Sequence, residues 1–303
     1  MPARIASLVP AATDLVVALG LGDELVGVSH ECDRSNELGL ATLTASLVPA
    51  AGTADGAAPE VVDAAVRAAL ADQGVLYTTN AQQLADLAPT HVLAQSICDV
   101  CAIRADQVDD IVPAGAELVV LAASSLASLE DDIRSVASAL DAEHAAAELL
   151  DELRGDLYAT RFAVRSVERP RVLTIEWGAP PFIGGHWVPE LVDLAGGTNV
   201  MSSPGEPSRA VDWDAISAAD PDVVVFLPCG YDLPTATAEA NALLAGPAAD
   251  LRAVRDRRFW AVDADRLFSR CTPVVGAAAR VLGGILHPDL FDPPSATDAW
   301  NAT

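Results

Sequence analysis

Lysine is absent from this chain of 303 residues, and all 18 basic residues are arginine. Without lysine there is no Gly-x-x-x-x-Gly-Lys-Ser/Thr loop, which removes P-loop nucleotide hydrolysis. A Gly-x-Ser-x-Gly nucleophile elbow is missing, and no Gly-x-Gly-x-x-Gly follows the first apolar segment, so two further enzyme signatures fall away. Aromatic residues make up only 5% of the chain, which puts weight on where they cluster. No uncharged apolar run approaches the ~18 to 20 residues that a membrane span needs. The start, Met1-Pro2-Ala3-Arg4, goes directly into the strand-like Ile5 to Val9, with none of the basic start, apolar stretch and small-residue cleavage site of an export signal. A cytoplasmic protein without signal or lipid anchor is the expectation. Cysteines number five, an odd count that argues against a disulfide framework in such a chain.

Acid is what the chain has in excess: 43 Asp and Glu leave a formal charge of -25. A polyanion would be repelled without a basic patch to release its counterions, so nucleic acid is a poor partner. The aspartates are spread over the whole length, the habit of a protein solvated in concentrated salt; steering of a cationic ligand is the alternative. Hydrophobic residues, at 51%, suffice for one large α/β domain or two lobes with separate cores.

Periodicity predicts an alternation of strands and helices. Strands are expected at Arg4 to Val9, Leu25 to Ser29, Val75 to Tyr77, His91 to Ala94 and Glu117 to Ala122. Between them come a turn at Pro10 to Thr13 and helices at Asp14 to Leu21, Pro59 to Asp72, Ala81 to Leu87 and Ala105 to Ile111. From Ser128, with Asp131 resembling a capping pair, helical spacing continues for close to 40 residues, or ~60 Å at ~1.5 Å each. So long a helix suits a bridge between lobes at 1–127 and 169–303, with the helix at 128–168. After Pro170 a second α/β series follows, from Arg171 to a closing helix at Val274 to Leu286, with Trp300 in a tail. Leu87-Ala88-Pro89-Thr90-His91-Val92-Leu93 and Ala219-Asp220-Pro221-Asp222-Val223-Val224-Val225 share the pattern helix end, proline turn, buried strand. Two similar lobes with parallel sheets covered on both faces are therefore expected.

Chemistry-bearing residues fall after strand ends, where open parallel sheets bind ligands, so that two such edges facing each other would form a cleft. In the first half these are Pro10, Ala11 and Thr13, then His30 and Glu31, then Cys98 and Cys101. In the second half they are Trp177, His186, Trp187, Glu206, Tyr231 and Arg270. Trp177 and Trp187 bracket a Pro/Gly loop that also carries Phe182, a surface suited to a broad, flat, partly apolar ligand; packing under the loop is the competing reading for Trp187. His186 is the candidate for a polar or axial contact to a chelated metal. Cys98-x-x-Cys101 supplies half a tetrahedral zinc or iron site, or a redox pair; the other half is missing, and reduced structural thiols remain the alternative.

Taken together, Arg4-Ile-Ala-Ser-Leu-Val-Pro-Ala-Ala-Thr-Asp14 running into Ala18-Leu-Gly-Leu-Gly22, then Leu25-Val-Gly-Val-Ser-His30, resembles the opening of cobalamin and iron-siderophore substrate-binding proteins of ABC importers. Ser29-His-Glu-Cys-Asp33, Cys98-Asp-Val-Cys101, Gly185-His-Trp-Val-Pro-Glu-Leu-Val-Asp-Leu-Ala-Gly-Gly197, Gly205-Glu-Pro-Ser-Arg209 and Pro228-Cys-Gly230 look like a signal-less, cytoplasmic cobalamin-binding branch of that family. The resemblance covers nearly the whole chain. It implies two Rossmann-like lobes joined by one long helix, as in class III periplasmic binding proteins, with cobalamin or another corrinoid held between them and no catalysis. Siderophore or haem binding by the same cleft is the nearest alternative, and a thiol- or metal-dependent enzyme acting on a corrinoid through Cys98 and Cys101 is the alternative from another class. An ABC permease is the partner that the family analogy implies. The branch lacks the signal and anchor of its exported relatives, and Gly178-Ala-Pro-Pro181 and Arg270-Cys-Thr-Pro273 depart from its expected pattern.

Overall fold

The computed structural model describes residues 2–32, 39–48, 58–97 and 107–301. They form two compact units: residues 1–49 with 64–152, and residues 50–63 with 153–303.

In the first unit, the strand β1 (Ile5–Ser7) is buried throughout and runs into α1 (Pro10–Ala18). Helix α1 begins at Pro10, where a turn was expected, because proline's fixed φ suits the first helical position and its missing N–H costs nothing there. The helix closes at Gly20, which takes φ 78°, with Gly20 N–H donating to Val17 and Leu21 N–H to Val16. A residue with a Cβ would be strained at that left-handed cap. The chain continues through β2 (Leu25–Val28), β3 (Ala41–Thr42), β4 (Thr44–Ser46), α2 (Pro59–Gln73), whose first residues to Asp63 count with the second unit, β5 (Tyr77–Thr79), α3 (Ala81–Asp86), β6 (His91–Gln95) and β7 (Glu117–Leu121). The order β3-β2-β1-β6-β7 makes an all-parallel sheet. The strand expected at Val75 to Tyr77 lies instead at β5, which pairs antiparallel with β4 in a separate ribbon. Of the helix expected at Ala105 to Ile111, the described part is one 3₁₀ turn, Asp109–Ile111.

The helical stretch expected from residue 128 is two helices, α4 (Leu126–Ala139) and α5 (Glu143–Ala163). The first turn of α4 is closed by Ser125 and Ser128, whose side chains bond each other's backbone N–H. Between the helices, Asp141 takes φ 55° and Ala142 N–H donates to Ala137 O at 2.8 Å. Aspartate tolerates this left-handed cap well enough to stop a helix without Pro or Gly, so apolar spacing alone does not reveal the break.

The second unit is built on β8 (Arg171–Gly178), β9 (Pro181–Ile183), α6 (Val188–Leu194), β10 (Thr198–Asn199), β11 (Arg209–Ala210), α7 (Trp213–Ala219), β12 (Val223–Phe226), α8 (Leu233–Leu244), α9 (Arg252–Arg255), β13 (Phe259–Val262), α10 (Ala264–Leu267), α11 (Val275–Leu286) and β14 (Ala299–Asn301). Its sheet runs β11-β9-β8-β12-β13-β14, with β10 also on β8. Strands β8, β10, β12 and β13 are parallel, and antiparallel strands extend both sides. Phe226 and Phe259 are fully buried at its core. Trp300 is no tail: it lies in β14 opposite Ala261 and packs on that core. The Pro/Gly stretch after Trp177 is likewise a β-hairpin, β8 turning into β9.

Candidate functional site

In the first unit, His30 follows β2. Its Nδ1 lies 2.7 Å from Thr44 Oγ1, and its backbone N–H donates to the same oxygen at 3.0 Å. The ring leans on Tyr77 at 5.7 Å, Tyr77 donates its hydroxyl to Glu31 Oε1 at 3.3 Å, and His30 Nε2 stands 4.0 Å from that carboxylate. Burial lowers the His30 pKa, so the imidazole is neutral near pH 7. His30 and Glu31 therefore come together as expected, tied to β4 and β5, which the sequence did not connect to them. Pro10 and Ala11 are half-buried at the start of α1. Thr13, expected to face a ligand, is fully buried, and its hydroxyl donates to Ser7 Oγ at 2.8 Å. Facing inward on α1, it is closed off from any ligand in this conformation. Cys98 and Cys101 lie outside the described residues.

The second unit brings together more of the expected residues. Glu176, in β8, accepts from Gly185 N–H at 3.1 Å and from the Ser208 hydroxyl. This clasps the segment after β9 to the segment before β11. Next to it His186 takes φ 53°, a strained setting for a residue with a Cβ. It is held by its N–H to Glu206 O at 2.6 Å and by Gly205 N–H to its own carbonyl at 2.9 Å. The His186 ring is half-buried, stacked on Trp187 at 6.0 Å, and has a pKa lowered by burial. Glu206 itself is exposed. Trp187 is 9% exposed at the start of α6, so packing describes it better than stacking on a ligand.

Trp177 does not stand free in a loop. It is half-buried, donates its indole N–H to Ala179 O at 3.1 Å, and meets Tyr231 edge-on at 5.6 Å. Arg270, 13% exposed, donates to Asp265 Oδ1 at 3.0 Å, and Asp265 N–H donates to Tyr231 O. Its guanidinium is thus engaged within its own unit. Ser269 Oγ accepts from Gly230 N–H at 2.8 Å, which joins the Cys229–Tyr231 and Ser269–Arg270 segments. Among the described residues, Cys229 is an exposed free thiol, Cys32 and Cys271 are buried, and no group of three or more His, Cys, Asp or Glu is placed to hold a metal.

A cavity of about 710 Å³ opens in this unit where the chain leaves β8 and β12. Gly178 to Pro181, Trp213, Tyr231 and Leu243 supply apolar and aromatic walls, and Glu60, Asp63 and Glu239 supply carboxyl groups. Glu239 on α8 is the residue that sequence reasoning missed. Both its carboxyl oxygens are buried without a hydrogen-bond partner. Burial pushes its pKa up to about 7, and the charge of Glu60 adds to the shift. The Gly178 amide and the Tyr231 hydroxyl pull the other way from nearby, without either completing a well-aligned hydrogen bond. Gly178 lets the carboxyl come close: a Cβ at that position would meet Glu239 Oε1, and the flexible glutamate would have to shift. A signal existed: Glu239 is the one charged residue in Leu233-Pro-Thr-Ala-Thr-Ala-Glu-Ala-Asn-Ala-Leu-Leu244.

A family model described as Periplasmic binding protein matches residues 5–265. No curated protein sequence matches the chain. Among solved structures, a periplasmic heme binding protein from Pseudomonas aeruginosa superposes with a TM-score of 0.71 at 21% identity, covering 100% of this chain and 99% of that one. The periplasmic vitamin B12 binding protein BtuF of Vibrio cholerae gives 0.67 at 21% identity, covering 94% and 96%. An ABC transporter substrate-binding protein from Listeria monocytogenes gives 0.71 at 17%, covering 95% and 100%. At these identities the superpositions speak for the fold, that of class III periplasmic binding proteins.

Proposed function

Because this chain belongs to the periplasmic binding protein family, whose members are substrate-binding proteins of ABC importers, we propose that it binds a corrinoid reversibly and without catalysis. The observation that carries this reading is the cavity of about 710 Å³ walled by Trp213, Tyr231, Pro180, Pro181 and Leu243. Aromatic and proline faces bury a broad ligand at little entropic cost. Pro10, Ala11, His30, Glu31, His186 and Glu206 are the proposed further ligand-binding residues. The neutral imidazoles of His30 and His186 are suited to approach a chelated metal. The protein would hand its ligand to an ABC permease, as members of the family do, or hold it for use elsewhere.

Titration with cobalamin, haem and a ferric siderophore, followed by Trp fluorescence, tests the reading. Cobalamin should bind saturably and tightest, and Trp177→Ala should weaken it ~5- to 150-fold, or ~1 to 3 kcal/mol, because Trp177 supports Tyr231 at the cavity wall. Tighter binding of haem or the siderophore moves the assignment to that chelate. Absence of saturable binding to all three removes the binding reading and favours an enzyme working through Cys98 and Cys101.

A further inference from the structure

Resting on that reading, we propose that the acidic lining of this cavity selects ligands whose periphery carries N–H donors or positive charge and rejects those bearing carboxylates, with Glu239 as a specificity-determining residue. Among the described residues, the lining has three carboxyl groups, Glu60, Asp63 and Glu239, and no arginine. A chelate fringed with carboxylates would bring negative charge up to Glu239 on a wall whose lining includes no arginine. A carboxamide fringe offers N–H donors to the same carboxylates.

Glu239 matters most because its charge is the least screened. Its oxygens sit behind Gly178, closed to solvent, and no hydrogen bond inside the protein neutralises them. A charge in such a setting projects its field into the cavity instead of into bulk water. Glu60 is exposed and Asp63 half-buried, so water and salt weaken their contribution. The groups facing Glu239 are Tyr231 and Glu60, and neither brings positive charge. With its pKa pushed up to about 7, Glu239 is mostly ionised at pH 8 and mostly neutral at pH 6. Selectivity should therefore grow as the pH rises.

Two sets of probes separate this inference from the corrinoid reading. Benzamidinium, benzamide and benzoate share size and shape and differ in charge; Trp fluorescence of the full chain should rank them in that order at pH 8. The gap between benzamidinium and benzoate should narrow about tenfold in Glu239→Gln or on lowering the pH of the native protein to 6. Glu60→Gln should narrow it less. Benzoate binding as well as benzamide, or a ranking that neither Glu239→Gln nor pH changes, overturns the proposal whatever the natural ligand is. The second set is cobyrinic acid, with its free carboxylates, and its fully amidated counterpart. Preference for the amide form supports both readings, equal affinity keeps the corrinoid and removes the selectivity, and no binding of either removes the corrinoid alone, leaving the benzene series to decide.

Discussion

A single carboxyl group illustrates what burial does to one residue. Glu239 holds its proton in the folded chain up to about pH 7, against an ordinary value of 4.5. Between these limits the folded state binds more protons than the unfolded one, so stability falls as the pH rises. The contribution is fully present below about pH 4.5 and is lost as the pH passes about 7, in total about 3 kcal/mol. His30 and His186, lowered by burial, act with the opposite sign, since below the ordinary histidine pKa the unfolded state takes up their protons first. Urea unfolding of wild type and Glu239→Gln from pH 4.5 to 8.5 isolates the glutamate. Their stability difference should shift in the variant's favour as the pH rises, whereas a constant difference would show that Glu239 ionises as it does in the unfolded chain. The sequence offered Glu239 only as a lone charge in a mostly apolar dodecapeptide, and its carboxyl packs against Gly178, 61 positions earlier.

At the scale of elements, junctions are held by side chains reaching across from a neighbouring element. Asp132 on α4 is 7% exposed and accepts from Ala122 N–H at 3.0 Å and Ala123 N–H at 2.9 Å. It thereby closes the end of β7 onto the helix. Asp132→Ala would strand both donors and should cost about 2 to 3 kcal/mol, read as a lower urea midpoint at unchanged slope. Asp131, next to it, is the residue that capping patterns pick out, yet it is exposed and pairs with Arg134 on its own helix. The pattern recognises a carboxylate near a helix start but not which backbone N–H groups the chain brings back to it. In the same way Glu176 lies within β8, and only the fold reveals that it clasps Gly185 to Ser208.

The whole molecule carries a charge of -25 with no lysine. If this reflects work in concentrated salt, dilution lengthens the screening distance from ~3 Å at 1 M to ~10 Å at 0.1 M and lets the acidic surface repel itself. The melting temperature should rise with KCl over this range, and a flat or falling profile would remove the halophilic reading. Among the described residues, no helix is long and apolar enough to cross a membrane.

The alternation of strands and helices, the burial of central strands such as Val223–Phe226 and the placement of polar residues after strand ends were all legible in the sequence. They follow from local periodicity, because a strand buried on both faces must be apolar throughout and a ligand-binding loop must not be. Thr13, Trp187 and Arg270 were legible as unusual residues, but their roles were not. Thr13 turns inward to Ser7, Trp187 packs at the start of α6, and Arg270 pairs with Asp265. What a side chain faces depends on partners distant in sequence, and no spacing rule carries that information. Composition and order along the chain therefore determined the class of fold and where its loops emerge. Tertiary structure alone decided that Glu239 meets Gly178 and Tyr231 at the cavity, because burial without a partner is a property of three segments brought together.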